Sequence, residues 1–273
     1  MKIAVLQMTA GIDPADNAVA VASAVADAAA AGAAMLFTPE MTNLLDQDRE
    51  RSEARVVAEA DDPVLHAARA SAARHKLWVH LGSLALRSGD KRVNRGFVID
   101  DAGEIRARYD KIHLFDADMP TGERWRESNS YQRGDKAVAV DTPVGVLGLS
   151  ICYDLRFPDL YRAVSDAGAT VLSVPAAFTV PTGRAHWHVL LRARAIESAA
   201  FVVAAAQTGT HADGRRTFGH SLVIDPWGTV LLDMGEEPGL GIAEIDAAAV
   251  TATRARMPVL DHRQPIGPVD LID

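Results

Sequence analysis

Short apolar runs recur along this chain, and the kind of segment that joins each run to the next limits the fold more than any other feature. The runs at residues 2–8 and 34–38 are separated by an alanine-rich stretch. In it Ala18, Val21, Ala22, Val25, Ala28 and Ala29 repeat at helical spacing, and Gly32 supplies a left-handed stop. Residues 63–75 and 184–198 also read as helices, as does the segment opened by Pro158 and closed by Gly168. Other runs, at 77–83, 92–99, 201–207, 219–224, 230–234 and 241–245, read as strands, with hairpin turns at 100–103 and 225–228. A helical crossover makes neighbouring strands parallel and a tight turn makes them antiparallel. A chain that uses both is an α/β protein with mixed sheets.

The 273 residues are enough to bury a substantial core. No fixed-period repeat, low-complexity linker or shift in composition divides them, so residues 1–273 read as one domain. The formal charge of −8 disfavours nucleic acid and anionic membrane as partners. The longest apolar helical stretch, residues 18–31, is too short to span a bilayer and contains Asp27. The start of the chain lacks the pattern of a signal peptide, and the single cysteine excludes an intrachain disulfide. Both suit a reducing, cytoplasmic setting. The nine histidines form no Cys/His ligand pattern, so no metal or other cofactor is expected.

The only cysteine, Cys152, ends the apolar run 144–152, just before the helix opened by Pro158. Such a position allows a helix dipole and nearby cations to lower a thiol pKa. The competing reading is a buried apolar filler. Along the run, Val146, Gly148, Ser150 and Cys152 share a face of small side chains, which leaves room for a pocket. Two further strand ends carry polar groups: Glu40, which shares a face with Leu36 and Thr38, and Lys111, which shares one with Tyr109. Ligands of open α/β sheets bind at the carboxyl ends of strands. There a carboxylate can serve as general base to the thiol, and an ammonium plus the Tyr153 N–H can hold an oxyanion. Singly, Glu40 reads equally as an exposed loop acid, and Lys111 as a surface lysine paired with Asp110 or Asp116.

Three segments together carry a family pattern: 36–40 ending in Glu40, 109–116 around Lys111, and 150–158 around Cys152. In this order and spacing the chain resembles the carbon–nitrogen hydrolase (nitrilase) superfamily, and the likeness runs from residues 2–8 to His262-Arg263. The pair Tyr153-Asp154 after the cysteine is similar to the Nit branch of amidases rather than to true nitrilases. Segment 176–197 looks most like the Nit1 group. The resemblance implies a four-layer α-β-β-α sandwich with two mixed β-sheets, and a homo-oligomer paired through helices such as those at 158–167 and 184–198. It implies Glu40, Lys111 and Cys152 as catalytic residues, with Glu127 as a second glutamate and Glu123 a weaker claimant. It further implies hydrolysis of the carboxamide of a small anionic amide, such as deaminated glutathione, to carboxylate and ammonia through a cysteine thioester. ω-Amidase activity on 2-oxoglutaramate or succinamate, or N-carbamoyl amino-acid hydrolase activity, is the alternative; a nitrilase and a non-catalytic binding protein that has kept the fold stand behind these.

An anionic substrate on an acidic protein needs local cations. Arg156 is the first candidate, against a buried ion pair with Asp154 or Asp159, and Arg184 and Arg216 follow. Phe178, Thr179 and Thr182 are candidate pocket residues by resemblance, although Pro181 and Gly183 give that segment the composition of a turn. His186 is a candidate polar group of the pocket, with a solvated helix face as its rival.

Overall fold

The computed structural model describes residues 1–118, 122 and 124–272. Glu123 lies outside the described residues. In chain order the first half contains β1 (Lys2–Gln7), α1 (Pro14–Ala30), β2 (Met35–Phe37), α2 (Arg49–Glu53), α3 (Pro63–His75), β3 (Trp78–Ser88), β4 (Lys91–Ile99) and β5 (Ile105–Asp110). A short hairpin comes next, β6 (Asp116–Asp118) and β7 (Arg124–Arg126). The second half contains β8 (Ala139–Thr142), β9 (Gly145–Gly148), α4 (Pro158–Asp166), β10 (Val171–Ser173), α5 (Val180–Ser198), β11 (Phe201–Ala204), β12 (Thr208–Thr210) and β13 (Arg216–Phe218). It ends with β14 (Leu222–Ile224), β15 (Val230–Asp233), β16 (Gly239–Glu244) and α6 (Ala247–Arg256).

Two six-stranded mixed sheets result, ordered β16-β1-β2-β3-β4-β5 and β15-β14-β11-β10-β9-β8. In the first, β1, β2 and β3 run parallel; in the second, β9, β10 and β11 do. Side-chain alternation assigns the layers. Ala4, Leu6 and Leu36 pack with Val21 and Val25 of α1 and Val64, Leu65 and Ala68 of α3. Their neighbours Ile3, Val5, Met35 and Phe37 point the other way and share a core with Leu147, Val171, Leu172 and Val203 of the second sheet. α4 and α5 pack on each other and on the second sheet. The order is therefore helices, sheet, sheet, helices, as the sequence led one to expect.

Local chemistry sets the element ends. In α3, Pro63 opens the helix, the Asp62 side chain accepts from the Leu65 N–H at 2.8 Å, and Lys76 closes it in the left-handed region at φ 54°. The α5 helix starts at Val180, not at residue 184, because Pro181 is accommodated in a first turn that needs no N–H from it. Gly183 marks no turn. A Cβ there would sit 2.2 Å from the Phe218 ring, so the glycine lets α5 meet β13. Helix α6 escaped the sequence pattern because Val250 is its one buried residue.

The run through Cys152 also departs from expectation. Strand β9 stops at Gly148, the chain stays extended at Ile151, and Cys152 turns at φ +49° into a 3-10 helix, Cys152–Arg156. Leaving the sheet early lets the cysteine project beyond the strand ends instead of into a ladder position. Within the first sheet, Gly82 of β3 approaches the loop after β2 so closely that a Cβ would lie 2.1 Å from the Thr38 carbonyl.

Candidate active site

Three chain segments meet where the strands end. Glu40 follows β2, Lys111 follows β5, and Cys152 follows β9. All three are nearly inaccessible, at 4 %, 2 % and 9 % exposure, which rules out the surface-acid and surface-lysine readings. Lys111 Nζ donates to Glu40 Oε1 at 3.0 Å and to Glu127 Oε2 at 2.9 Å. Cys152 lines the same cavity as Glu40, Lys111 and Glu127. Glu127, in the 3-10 turn Glu127–Asn129 after β7, also accepts from the Phe115 N–H at 2.6 Å.

Each group is fixed by partners distant in sequence. The second carboxylate oxygen of Glu40 accepts from the Ala177 N–H at 2.9 Å, and its carbonyl accepts from Gln207 Nε2 at 2.9 Å. Asn94 on β4 donates through Nδ2 to Glu40 Oε1 at 2.9 Å and to Glu127 Oε1 at 3.4 Å, and its carbonyl accepts from the Lys111 N–H. Turning the Asn94 amide over would set its oxygen against two carboxylates, so this orientation is dictated by the site. The thiol-bearing turn is anchored by Asp154, whose side chain is fully buried. One of its oxygens accepts from the Tyr109 hydroxyl at 2.7 Å and the Ile151 N–H at 2.9 Å. The other accepts from the His113 N–H at 3.0 Å and lies 2.7 Å from His113 Nδ1. Asp154 thus ties the Cys152 turn to the Lys111 segment.

Charge follows from this packing. Burial opposes the Lys111 ammonium, but Glu127 and Glu40 outweigh it and hold the pKa well above the ordinary lysine value. The thiol behaves opposite to the sequence expectation. Burial first, then the Glu40 charge and its hydrogen bond, push the Cys152 pKa well up, and Lys111 offsets this only in part. The resting site therefore pairs a neutral thiol with a neighbouring carboxylate and an ammonium.

These groups open into a cavity of about 290 Å³. Its wall includes Cys152, Glu40, Lys111, Glu127 and Ala177, the apolar and aromatic side chains of Met41, Leu44, Phe115, Trp125 and Tyr131, and Arg49, Arg92, Arg126 and Arg215. Of the substrate-contact residues expected from sequence, Thr179 lines this wall; Tyr153, Arg156, Phe178, Thr182 and His186 do not. Arg156 makes no ion pair with Asp154 or Asp159. It lies over the Tyr153 and Phe178 rings at 5.8 and 5.6 Å and reaches the exposed His186 at 3.3 Å. Thr182 is taken up by Thr179, with hydroxyls 2.8 Å apart, and Phe178 packs on Trp187. Arg184 and Arg216 are exposed and away from the wall; the neighbouring Arg215 takes the place in it.

Among the described residues, one group has the composition of a metal site: His188, His220 and Asp233, whose ligand atoms lie within 4.8 Å of one another. It stands apart from the cavity wall, and its carboxylate accepts from His220 Nδ1 at 2.8 Å and His188 Nε2 at 3.0 Å. Through these bonds Asp233 links the two imidazoles.

A thiol, a carboxylate and an ammonium at the strand ends of this sandwich define the class. The chain belongs to the carbon-nitrogen hydrolase family, whose model matches residues 2–255. It is 42% identical over 266 residues to a deaminated glutathione amidase of Synechocystis sp., covering 95% of this chain and 97% of that one. With the deaminated glutathione amidase of Yersinia enterocolitica it shares 39% identity over 269 residues, covering 96% and 92%. The crystal structure of the Caenorhabditis elegans NitFhit protein matches with a TM-score of 0.89 at 40% identity, over 96% of this chain and 65% of that one.

Proposed function

We propose that the protein is a thiol amidase that cleaves small anionic amides through an acyl-enzyme on Cys152. The observation that carries this reading is the convergence of Cys152, Glu40 and Lys111 in one cavity, with Lys111 Nζ 3.0 Å from Glu40 Oε1. Glu40 takes the thiol proton as the sulfur attacks the amide carbon, so the thiolate exists only as the bond forms. The tetrahedral oxyanion rests on Lys111 and on the Tyr153 N–H, at the start of the 3-10 turn where no intrahelical partner is available. Glu40 returns the proton to the departing nitrogen, then activates the water that opens the thioester. Glu127 and Asn94 hold Lys111 and Glu40 in register.

The names of the relatives favour deaminated glutathione as the substrate type. That compound has secondary amides only, so its cleavage releases an amine. Ammonia, expected from sequence, belongs to primary amides such as 2-oxoglutaramate. A cavity of about 290 Å³ suits the acyl half, with the leaving group toward the mouth. Residues 1–273 acting as one domain is supported by a core shared between both sheets. Exposed Val189 and Ile196 on α5 support self-association through that helix, and the single free thiol suits a cytoplasmic setting. No described helix is long and apolar enough to cross a membrane. The test is a turnover panel of deaminated glutathione, 2-oxoglutaramate, succinamate, an N-carbamoyl amino acid and a nitrile, read by product mass. The first should lead. Turnover of the nitrile alone would overturn the reading.

A further inference from the structure

Five arginines line the cavity, and four of them are spent or open to water. Arg92 is held by Glu53 at 2.6 Å and Ser52 at 3.0 Å, and Arg126 by Asp118 at 2.8 Å. Arg49 and Arg124 are exposed. Arg215 differs. Its side chain is 16% exposed, yet among the described residues it makes one side-chain bond, Nη2 to Asp213 Oδ2 at 3.2 Å. Its Nε is buried and has no partner among the described residues. Asp213 is itself committed: its oxygens accept from the Gln47 N–H at 2.8 Å and the Arg215 N–H at 2.9 Å. The guanidinium lies over the Trp125 ring at 5.0 Å, which holds it in the cavity wall. A guanidinium this buried with most donors unused is costly unless a ligand supplies acceptors.

We propose that Arg215, held by Asp213 and Trp125, binds the substrate's carboxylate, so that an amide carrying a carboxylate is held far more tightly than a neutral amide of similar length. The reacting carbonyl lies at Cys152, and the carboxylate takes the donors of Arg215 that Asp213 leaves unused. This inference rests on the amidase reading for which end is cleaved, but its test is binding.

The protein carrying Cys152→Ala is titrated calorimetrically with succinamate, with its neutral isostere succinamide, and with butanamide. Succinamate should bind at least tenfold more tightly than either neutral amide. Adding Arg215→Met should weaken succinamate by about 10- to 150-fold, the range of a charge-assisted bond, and leave butanamide within about threefold. Arg215→Lys keeps the charge but loses the fork, so it should fall between, and it serves if the methionine variant does not fold. Equal affinity for succinamate and succinamide, or an Arg215 variant that binds succinamate as well as its parent, overturns the inference. Turnover of the same amides by the unaltered protein is scored separately, so the amidase reading and the carboxylate anchor can fail independently.

Discussion

Asp154→Asn tests whether the thiol is placed by a buried carboxylate. The native side chain faces four groups: the Tyr109 hydroxyl, the His113 imidazole, and the N–H groups of Ile151 and His113. Tyr109 and His113 can adapt, one by rotating its proton and the other by changing tautomer. The backbone N–H groups cannot. An asparagine amide turned one way sets its NH2 against the Ile151 N–H, and turned the other way against the His113 N–H. Either choice leaves one buried donor without an acceptor, which costs about 2 kcal/mol. For a protein of this size that is a fall in Tm of roughly 4–8 °C. The Ile151 N–H immediately precedes Cys152, so the same change loosens the turn that aims the sulfur. A displacement near 1 Å lowers kcat/KM by about 100-fold. Thermal melts and steady-state turnover of purified variant and parent read both effects. A Tm within about 1 °C of the parent, with unchanged kcat/KM, would refute the reasoning.

Lys111→Ala should retain the fold and lose about 10²–10³ in kcat, as for any missing oxyanion donor, and comparable turnover would remove lysine from that role. The thiol pKa is raised in the folded protein, so Cys152 favours folding below the ordinary thiol value and that contribution fades at higher pH. Absorbance at 240 nm, taken as the difference from Cys152→Ala, should show no thiolate below about pH 9, and a midpoint near neutrality would contradict it. Burial holds His80 neutral, with its pKa lowered to about 3. The unfolded chain takes up that proton first, so stability should fall with acidification from about pH 6.5 toward 3, and a melt series flat across that window would contradict the assignment. Gly82→Ala should push the Thr38–Pro39 backbone away and reduce both stability and turnover, because the added methyl meets carbonyls at 2.1 and 2.5 Å; a variant equal to the parent in both would show that the loop gives way freely.

Glu40, Lys111 and Cys152, the three groups brought together in the cavity, were legible in the sequence because each follows the end of an extended segment, where an α/β sheet exposes polar groups. Helix α3 was legible for a local reason, since proline, an aspartate cap and periodic alanines all sit within it. The parts that stayed hidden depend on contacts between distant segments. Asp154 binds residues 41 and 45 positions away, and Asn94 reaches Glu40 across 54. Neither pairing leaves a mark in local spacing. The cations for an anionic substrate were sought in Arg156, Arg184 and Arg216, whereas Arg215 lines the wall. Two neighbours in an exposed hairpin differ only in which way they point, and the β12–β13 pairing decides that. The thiol was expected to ionise easily because a helix and nearby cations come after it, but burial and the Glu40 charge push its pKa up, and Lys111 offsets this only in part.

The most direct test is the mass of the intact protein quenched during turnover of an amide substrate, combined with peptide mapping. The account predicts a fraction heavier by the acyl group alone, carried on the peptide containing Cys152, and neither adduct nor turnover with Cys152→Ala. Full turnover by that variant, or an acyl group found on any other residue, would contradict it.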